Sequence, residues 1–515
     1  MENSRTKNSV YNVLSSIGIK VLTIILAFAS RTVFIYVLGA VYLGLNGLFT
    51  NILSFLALSE MGLGAAISFL LYKPLAVEDT ERIKTVMAFY KKCYLVIGCI
   101  IIALGCSLMP FLKYLVNLDQ PVPENLYLIF FLFVLNSAVS YFFVAYKQTL
   151  IEANQKKYKL TGIEVSFTLL NCVVDIIVLV IFKNFIAYLL AKLSLVIIRN
   201  LVLAHKIDKL YPYLNEPVAT ALSRLEIKKI FKDVYSVFVF RLGSVLFNSV
   251  TNIVTSIMIG TIVVGYYSNY MMIVSQVEAV FMLVVTSVSA GIGNVVATES
   301  KERQYEIYKK LDILAFFIYG TCTICLFQLL NSFVNIWLGH KDGAYVMSQS
   351  VVFLICASFY TNCSCQIIDK FRVAGGYFAI GRDLQLVGGA LNIILSIILS
   401  RRFGFEGVLL SPLICKVFIT VVPFVARVGK IAIGRNYKDM LFNYFSKAVL
   451  TLMLGAIIWN FCGGIHRSSL ANMMLEFILT IAISTVALCF VYKNSQAFLL
   501  IKHYFNHGGQ NRLDF

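Results

Sequence analysis

NVLSSIGIKVLTIILAFASRTVFIYVL, residues 12–38, is a run of helical length in which only Lys20 and Arg31 carry charge. About twenty apolar residues suffice to cross a bilayer as a helix, so this run reads as a membrane span. It passes into a second apolar run without a processing site, which argues against a cleaved leader. Its polar positions, Ser16, Lys20, Thr23, Ser30 and Arg31, recur at spacings that place them on one helical face. A charge at the centre of a span costs at least about 2.5–3.5 kcal/mol, so such a face is expected to turn toward protein or water.

The rest of the chain repeats the pattern. Apolar runs fall at 12–38, 44–72, 90–112, 124–146, 160–182, 184–204, 232–259, 263–296, 312–337, 346–368, 384–400, 406–426, 442–464 and 470–492. The reading is an all-α polytopic membrane protein with about fourteen transmembrane helices. Of 515 residues, 59% are hydrophobic and 14% charged, whereas a soluble domain carries about a quarter charged residues. The connecting segments are too short to hold a soluble domain with chemistry of its own.

Basic residues set the expected orientation. With the N-terminus placed in the cytoplasm, only Lys113, Lys183, Lys341, Arg401, Arg402 and Arg467 fall in outward loops. Most of the 44 Lys and Arg then face the cytoplasm, as the positive-inside rule requires, and both termini do so. The net charge of +18 follows from this bias and from anionic lipid headgroups; nucleic acid is not needed to explain it.

A shift of 221 residues lays the first span on the seventh and the fifth on the eleventh. Lys20 falls on Arg241, Thr23 on Ser244 and Arg31 on Asn252; Glu164 falls on Gln385, Asn171 on Asn392 and Asp175 on Ser396. Spans six apart share an orientation, so the chain divides into two parallel six-helix bundles plus an appended helix pair. The expected domains are an N-terminal bundle (1–205), a cytoplasmic linker (206–231) with Pro212 and Pro217, a second bundle (232–430), and helices 13 and 14 with a cytoplasmic tail (431–515).

Arg241, Ser244, Asn248, Asn252 and Thr255 repeat on the seventh span the polar face of the first. The expectation is a water-filled cationic cavity. Lys20, Arg31 and Arg241 would bind an anion there, since guanidinium grips phosphate oxygens bidentately, and Thr23, Ser244, Asn248 and Asn252 would line it. Pairing of these cations with Glu60, Glu164, Asp175 or Glu278 to fix helix packing is the competing reading. Glu164 and Asp175 on the fifth span are candidates for ion coupling, against interhelical hydrogen bonding. Lys416 and Lys447 are expected to snorkel from helix ends, and Pro412 and Pro423 to kink the twelfth span. Cys322/Cys325 and Cys363/Cys365 have spacings that suit a metal or redox site, but thiols inside apolar runs ordinarily fill space. No nucleotide-binding or zinc-protease motif is present, and no cofactor is implied.

Three stretches resemble bacterial polysaccharide flippases of the Wzx type: VLGAVYLGLNGLFTNILSFLALSEMGLGAAI (Val37–Ile67), LLYKPLA (Leu70–Ala76) and YYSNY (Tyr266–Tyr270). That family belongs to the superfamily that includes MATE exporters and lipid II flippases. The resemblance implies a non-enzymatic transporter in the bacterial cytoplasmic membrane. It would move undecaprenyl-pyrophosphate-linked oligosaccharide between leaflets by alternating access, with a polysaccharide polymerase and glycosyltransferases as partners. The alternatives are a MATE-like exporter of small molecules, which Lys20 and Arg241 disfavour for organic cations, and a membrane enzyme, for which the outer loops are short.

Overall fold

Gly39 separates the first two helices with φ at 85°, a left-handed conformation that glycine adopts without strain. The computed structural model that places it describes residues 2–57, 63–118, 122–154, 156–218, 221–339, 345–377, 380–462 and 469–493. All regular structure in those residues is helical. Eleven helices are long and apolar enough to cross a membrane. One of them, Arg382–Ile433, is broken at Gly404 (φ 58°) into two spans, and Ala40–Leu56 and Val245–Met258 are shorter apolar helices. With the two parts of Arg382–Ile433 and the two shorter helices counted, the described residues hold fourteen apolar helices.

The first compact unit comprises residues 1–245 and 260–265. It contains α1 (Glu2–Leu38), α2 (Ala40–Leu56), α3 (Leu63–Ala76), α4 (Thr80–Leu108), α5 (Leu112–Leu115), α6 (Leu126–Phe143), α7 (Ala145–Ala153), α8 (Tyr158–Phe182) and α9 (Phe185–Leu210). It also takes in the start of α10 (Arg224–Met258) and the first turn of α11 (Thr261–Ser287). Polar side chains start the helices where the sequence changes register. Asp79 accepts from the Arg82 N–H at 2.9 Å, and Asn184 from the Ala187 N–H at 2.9 Å. Basic and acidic residues then clasp one end of this unit. Lys147 Nζ donates to Asp208 at 2.6 Å, Lys84 Nζ to Glu216 at 3.0 Å, and Arg82 pairs with Glu226 on α10.

One contact in this unit is unusually close. A side chain on Gly44 of α2 would strike the Thr261 carbonyl, and one on Gly265 of α11 would strike the Ala40 carbonyl. Thr261 N–H donates to the Asn117 carbonyl at 2.9 Å, so the first turn of α11 is tied into the unit from a second side.

The second unit holds the remainder: α12 (Ser289–Thr298), α13 (Lys301–Leu338), α14 (Gln349–Ser364), α15 (Gln366–Ala374), α16 (Arg382–Ile414), α17 (Val422–Val428), α18 (Tyr437–Cys462) and α19 (Leu470–Tyr492). Two π-helical segments, Cys415–Val421 and Gly429–Ile433, flank α17. Pro412 and Pro423 lie in this stretch, and π turns are one way a helix absorbs a missing N–H. The appended helices α18 and α19 are inverted relative to a soluble protein. Phe442, Phe461, Ile478 and Val486 are more than half exposed, whereas Lys447, Thr451, Thr480 and Ser484 are buried. Lipid is the solvent that favours this arrangement.

Backbone landmarks recur at one spacing. The first residues of α4 and α13, Thr80 and Lys301, are 221 apart. So are the helix breaks at Val144 and Cys365, and the positive-φ pairs Gly39/Gly260 and Lys183/Gly404. The register read from polar residues is therefore carried by the backbone as well.

Candidate functional site

Within the first unit, α2, α6 and α9 enclose a cavity of about 300 Å³. Asn46, Thr50 and Ser54 enter it from successive turns of α2, Asn136 and Ser137 from α6, and Lys192 from α9. The spacing of four on α2 makes this stripe unavoidable once that segment is helical. Lys192 Nζ donates to the Tyr188 hydroxyl one turn earlier at 3.2 Å and lies 5.3 Å from the ring centre. The Asp175 carboxylate of α8 and the Arg31 guanidinium of α1 are among its charged neighbours. Asp175 is 8% exposed, and its Oδ1 has no hydrogen-bond partner. Asp175 and Arg31 thus act on Lys192 electrostatically from two other helices of the same unit.

The second unit has its own interior cation. Lys416, in the π-helical stretch after Pro412, donates to Asn362 Oδ1 at 2.8 Å and lies 5.6 Å from the centre of the Phe247 ring. Glu278 of α11 is its acidic neighbour. The carboxylate that the fifth span carries at Asp175 is replaced in this unit by Ser396. Its hydroxyl donates to Asn392 Oδ1 at 3.4 Å, and Ser411 donates to the same oxygen at 2.9 Å. Asn392 Nδ2 in turn donates to the Leu246 carbonyl at 3.4 Å. A buried hydrogen-bonded knot therefore stands where the first unit has charge.

An apolar groove of about 630 Å³ runs between α13, α14, the C-terminal half of α16 and α18. Phe327, Phe353, Leu413, Phe418, Leu452 and Trp459 are among its walls. Behind it, Lys447 of α18 donates to Asp312 Oδ2 of α13 at 2.5 Å, and Asn443 Nδ2 donates to the same oxygen at 2.9 Å. Lys447 is 2% exposed, so this pair fixes α18 against α13 from inside the protein. Gln328 adds a second tie, its Nε2 donating to the Gly455 carbonyl at 3.1 Å.

The snorkelling expected of Lys416 and Lys447 is overturned. Each has a polar partner inside its own unit, and that contact outweighs the reach to an interface. The side chains of Lys20, Arg241, Ser244 and Asn248 lie outside the described residues, as does Glu60. Arg31 and Thr23 are half-buried on α1; Asn252 is half-buried on α10, with a buried Oδ1 that has no hydrogen-bond partner. Glu164 is not gathered with Asp175. They are eleven residues apart on α8, about 16 Å, and Lys157 is a charged neighbour of Glu164. Lys192 sits on the sixth span, away from the polar faces of the first, fifth, seventh and eleventh that carry the repeat in the sequence, so no pattern along the chain marks it. All twelve cysteines are free, and among the described residues no group of three His, Cys, Asp or Glu side chains could hold a metal.

No family model and no curated protein matches the sequence. Solved structures do. The lipid II flippase MurJ in an inward closed conformation superposes with a TM-score of 0.67 at 15% identity, over 94% of this chain and 99% of that one. A multidrug resistance MATE family transporter of the MOP superfamily, inward-facing, gives 0.61 at 16% identity over 79% and 94%. A MOP superfamily transporter from Pyrococcus furiosus, described as having a binding pocket of reverse polarity, gives 0.52 at 13% over 81% and 94%. At these identities the likeness is one of fold: this chain has the fold that MurJ and the MATE transporters share.

Proposed function

We propose that the chain is a flippase that carries undecaprenyl-pyrophosphate-linked oligosaccharide across the bacterial cytoplasmic membrane by alternating access, for surface polysaccharide synthesis. The observation that carries this reading is an amphiphile's requirements met in one chain. A long apolar groove is walled by an appended helix, and each unit holds an interior cation, Lys192 or Lys416. A polyprenyl chain needs the first, and a diphosphate needs cations such as the second. Lys20, Arg31 and Arg241 belong to the same cationic set in this proposal, with Thr23, Ser244, Asn248 and Asn252 as polar lining. Asp175, buried beside Lys192, is the carboxylate best placed to couple transport to an ion, ahead of Glu164.

A MATE-like exporter of small molecules is the alternative. Interior lysines oppose an organic cation, and a small solute has no use for a groove lined by Phe, Leu and Trp. The test is translocation in liposomes of a fluorescent polyprenyl-diphosphate sugar, read by quenching of the outer leaflet. Protein-dependent flipping that is lost in Lys20→Ala/Arg241→Ala, and milder in Arg241→Lys, is the expected result. Absence of flipping together with export of a drug-like dye would replace the proposal with the alternative.

A further inference from the structure

The buried face of α19 is mostly polar. Its buried residues are Glu476, Thr480, Ser484 and Leu488, at intervals of four along one side of the helix. That face packs on α13 and α18 of the same unit. The two hydroxyls differ from those of neighbouring helices. Thr323 of α13, Thr361 of α14 and Thr451 of α18 each donate to the carbonyl four residues earlier, at 2.7, 2.8 and 2.9 Å. Thr480 Oγ1 and Ser484 Oγ are as deeply buried and have no hydrogen-bond partner. Gln328 of α13 is in the same position: its Nε2 is committed to the Gly455 carbonyl, while its Oε1 is buried without a partner. Buried oxygens of this kind normally find one.

The helices bring Gln328 and Thr480 to one level. α18 runs parallel to α13, since Lys447 meets Asp312 and Trp459 meets Phe327. α19 is the next span and runs the other way, with the Tyr492 ring 6.1 Å from that of Phe316. Thr480 lies as many residues before Tyr492 as Gln328 lies after Phe316, so both stand about 18 Å from that contact. One turn further, Glu476 is level with Ser332, which is also buried.

We propose that Glu476, Thr480 and Gln328 bind a monovalent alkali cation inside the second unit, between α13 and α19. Glu476 and Thr480 are one turn apart, so a single ion reaches both, and Gln328 meets it from the facing helix. The donors are all oxygens, which suits a hard cation. Glu476 is the one charged residue of α19, and α13 carries none from Phe316 to Leu338. The donor set therefore sums to a single negative charge. A monovalent ion neutralises it, whereas a divalent ion would leave a net charge in a low-dielectric interior. Because Gln328 also holds Gly455, the bound ion ties α19 to α13 and, through that amide, to α18. This site is independent of what the chain carries.

The experiment uses the purified full-length protein in lipid nanodiscs. Thermal unfolding is followed in sodium, potassium or choline chloride at equal ionic strength, and bound alkali ion is counted by equilibrium dialysis. Sodium or potassium should raise the unfolding temperature above that in choline. Glu476→Gln should lose one bound ion per chain and the thermal response together, yet unfold in choline no earlier than the native protein. Thr480→Val should keep the fold and weaken the ion by about fivefold or more, whereas Ser484→Ala, one turn beyond, should change it by less than about twofold. A native protein that binds no alkali ion overturns the site, as does binding that is unchanged in both Glu476→Gln and Thr480→Val. Stabilisation that follows pH and ignores the alkali ion would make Glu476 a proton carrier and overturn it equally.

Discussion

Lys447 shows how strongly a buried partner redirects a long side chain. Its ammonium shares Asp312 Oδ2 with Asn443, and the pair is almost fully buried. Removing one member strands a charge in a low dielectric, which costs about 3–5 kcal/mol, whereas replacing both by apolar groups is often neutral. Lys447→Met should therefore lower the unfolding temperature in detergent sharply, and Asp312→Leu/Lys447→Met should recover most of the loss. An additive double variant would mean that the pair does not act as a unit. Glu226 is the opposite case, an exposed carboxylate whose protonation is coupled to a contact. The Ser223 N–H and hydroxyl and the Arg82 guanidinium hold its pKa down to about 2, from an ordinary 4.5. A depressed carboxylate stabilises above its ordinary pKa and loses that contribution as pH falls through the folded value. The clasp should be intact at pH 7 and weaken between about 4.5 and about 2, read as faster cleavage of residues 216–222 by an acid-stable protease at pH 3; equal rates at both pH values would contradict it. The charged partners of Lys192, Lys416 and Lys447 could not be read from sequence. Each lies on a different helix, and spacing along one helix says nothing about its neighbours.

At the scale of helices, hydropathy sufficed for nearly every span, because lipid imposes a length and an apolar surface on each. What escaped it was how helices break. The run 44–72 is α2 and α3 separated by the undescribed residues 58–62, and the gap expected between the eleventh and twelfth spans is a single glycine at φ 58°. The kink expected from Pro412 and Pro423 takes the form of π-helical turns, and these set where Lys416 points. Close approach of α2 to α11 depends on Gly44 and Gly265, repeat-equivalent residues that each face the other helix's carbonyl. Adding one methyl to either should push these helix ends apart. Gly44→Ala and Gly265→Ala should each raise maleimide labelling of a cysteine placed at Asn117, whose carbonyl meets Thr261, by severalfold. Gly18→Ala, which meets nothing within 4 Å, should not. Equal labelling in all three would show that the contact tolerates a side chain.

For the molecule as a whole, the duplication was legible from a handful of polar residues, since helix starts, breaks and positive-φ residues keep the same interval of 221. The cavity of the first unit and the groove of the second were not legible, because each depends on which helices of its own unit pack together. Orientation remains a prediction from charge: a cysteine at Tyr305 should resist an impermeant maleimide applied to intact cells, and its ready labelling would reverse the topology. The contact between Gly44 and Gly265 also bears on biosynthesis. The first compact unit includes residues 260–265, although residues 246–259 belong to the second. A chain ending at residue 231 lacks the turn that packs against Gly44 of α2. The first half should therefore persist in a cell poorly when expressed as 1–231, and better as 1–270. Equal persistence of the two lengths would show that residues 260–265, although they cluster with the first unit, add nothing to its stability.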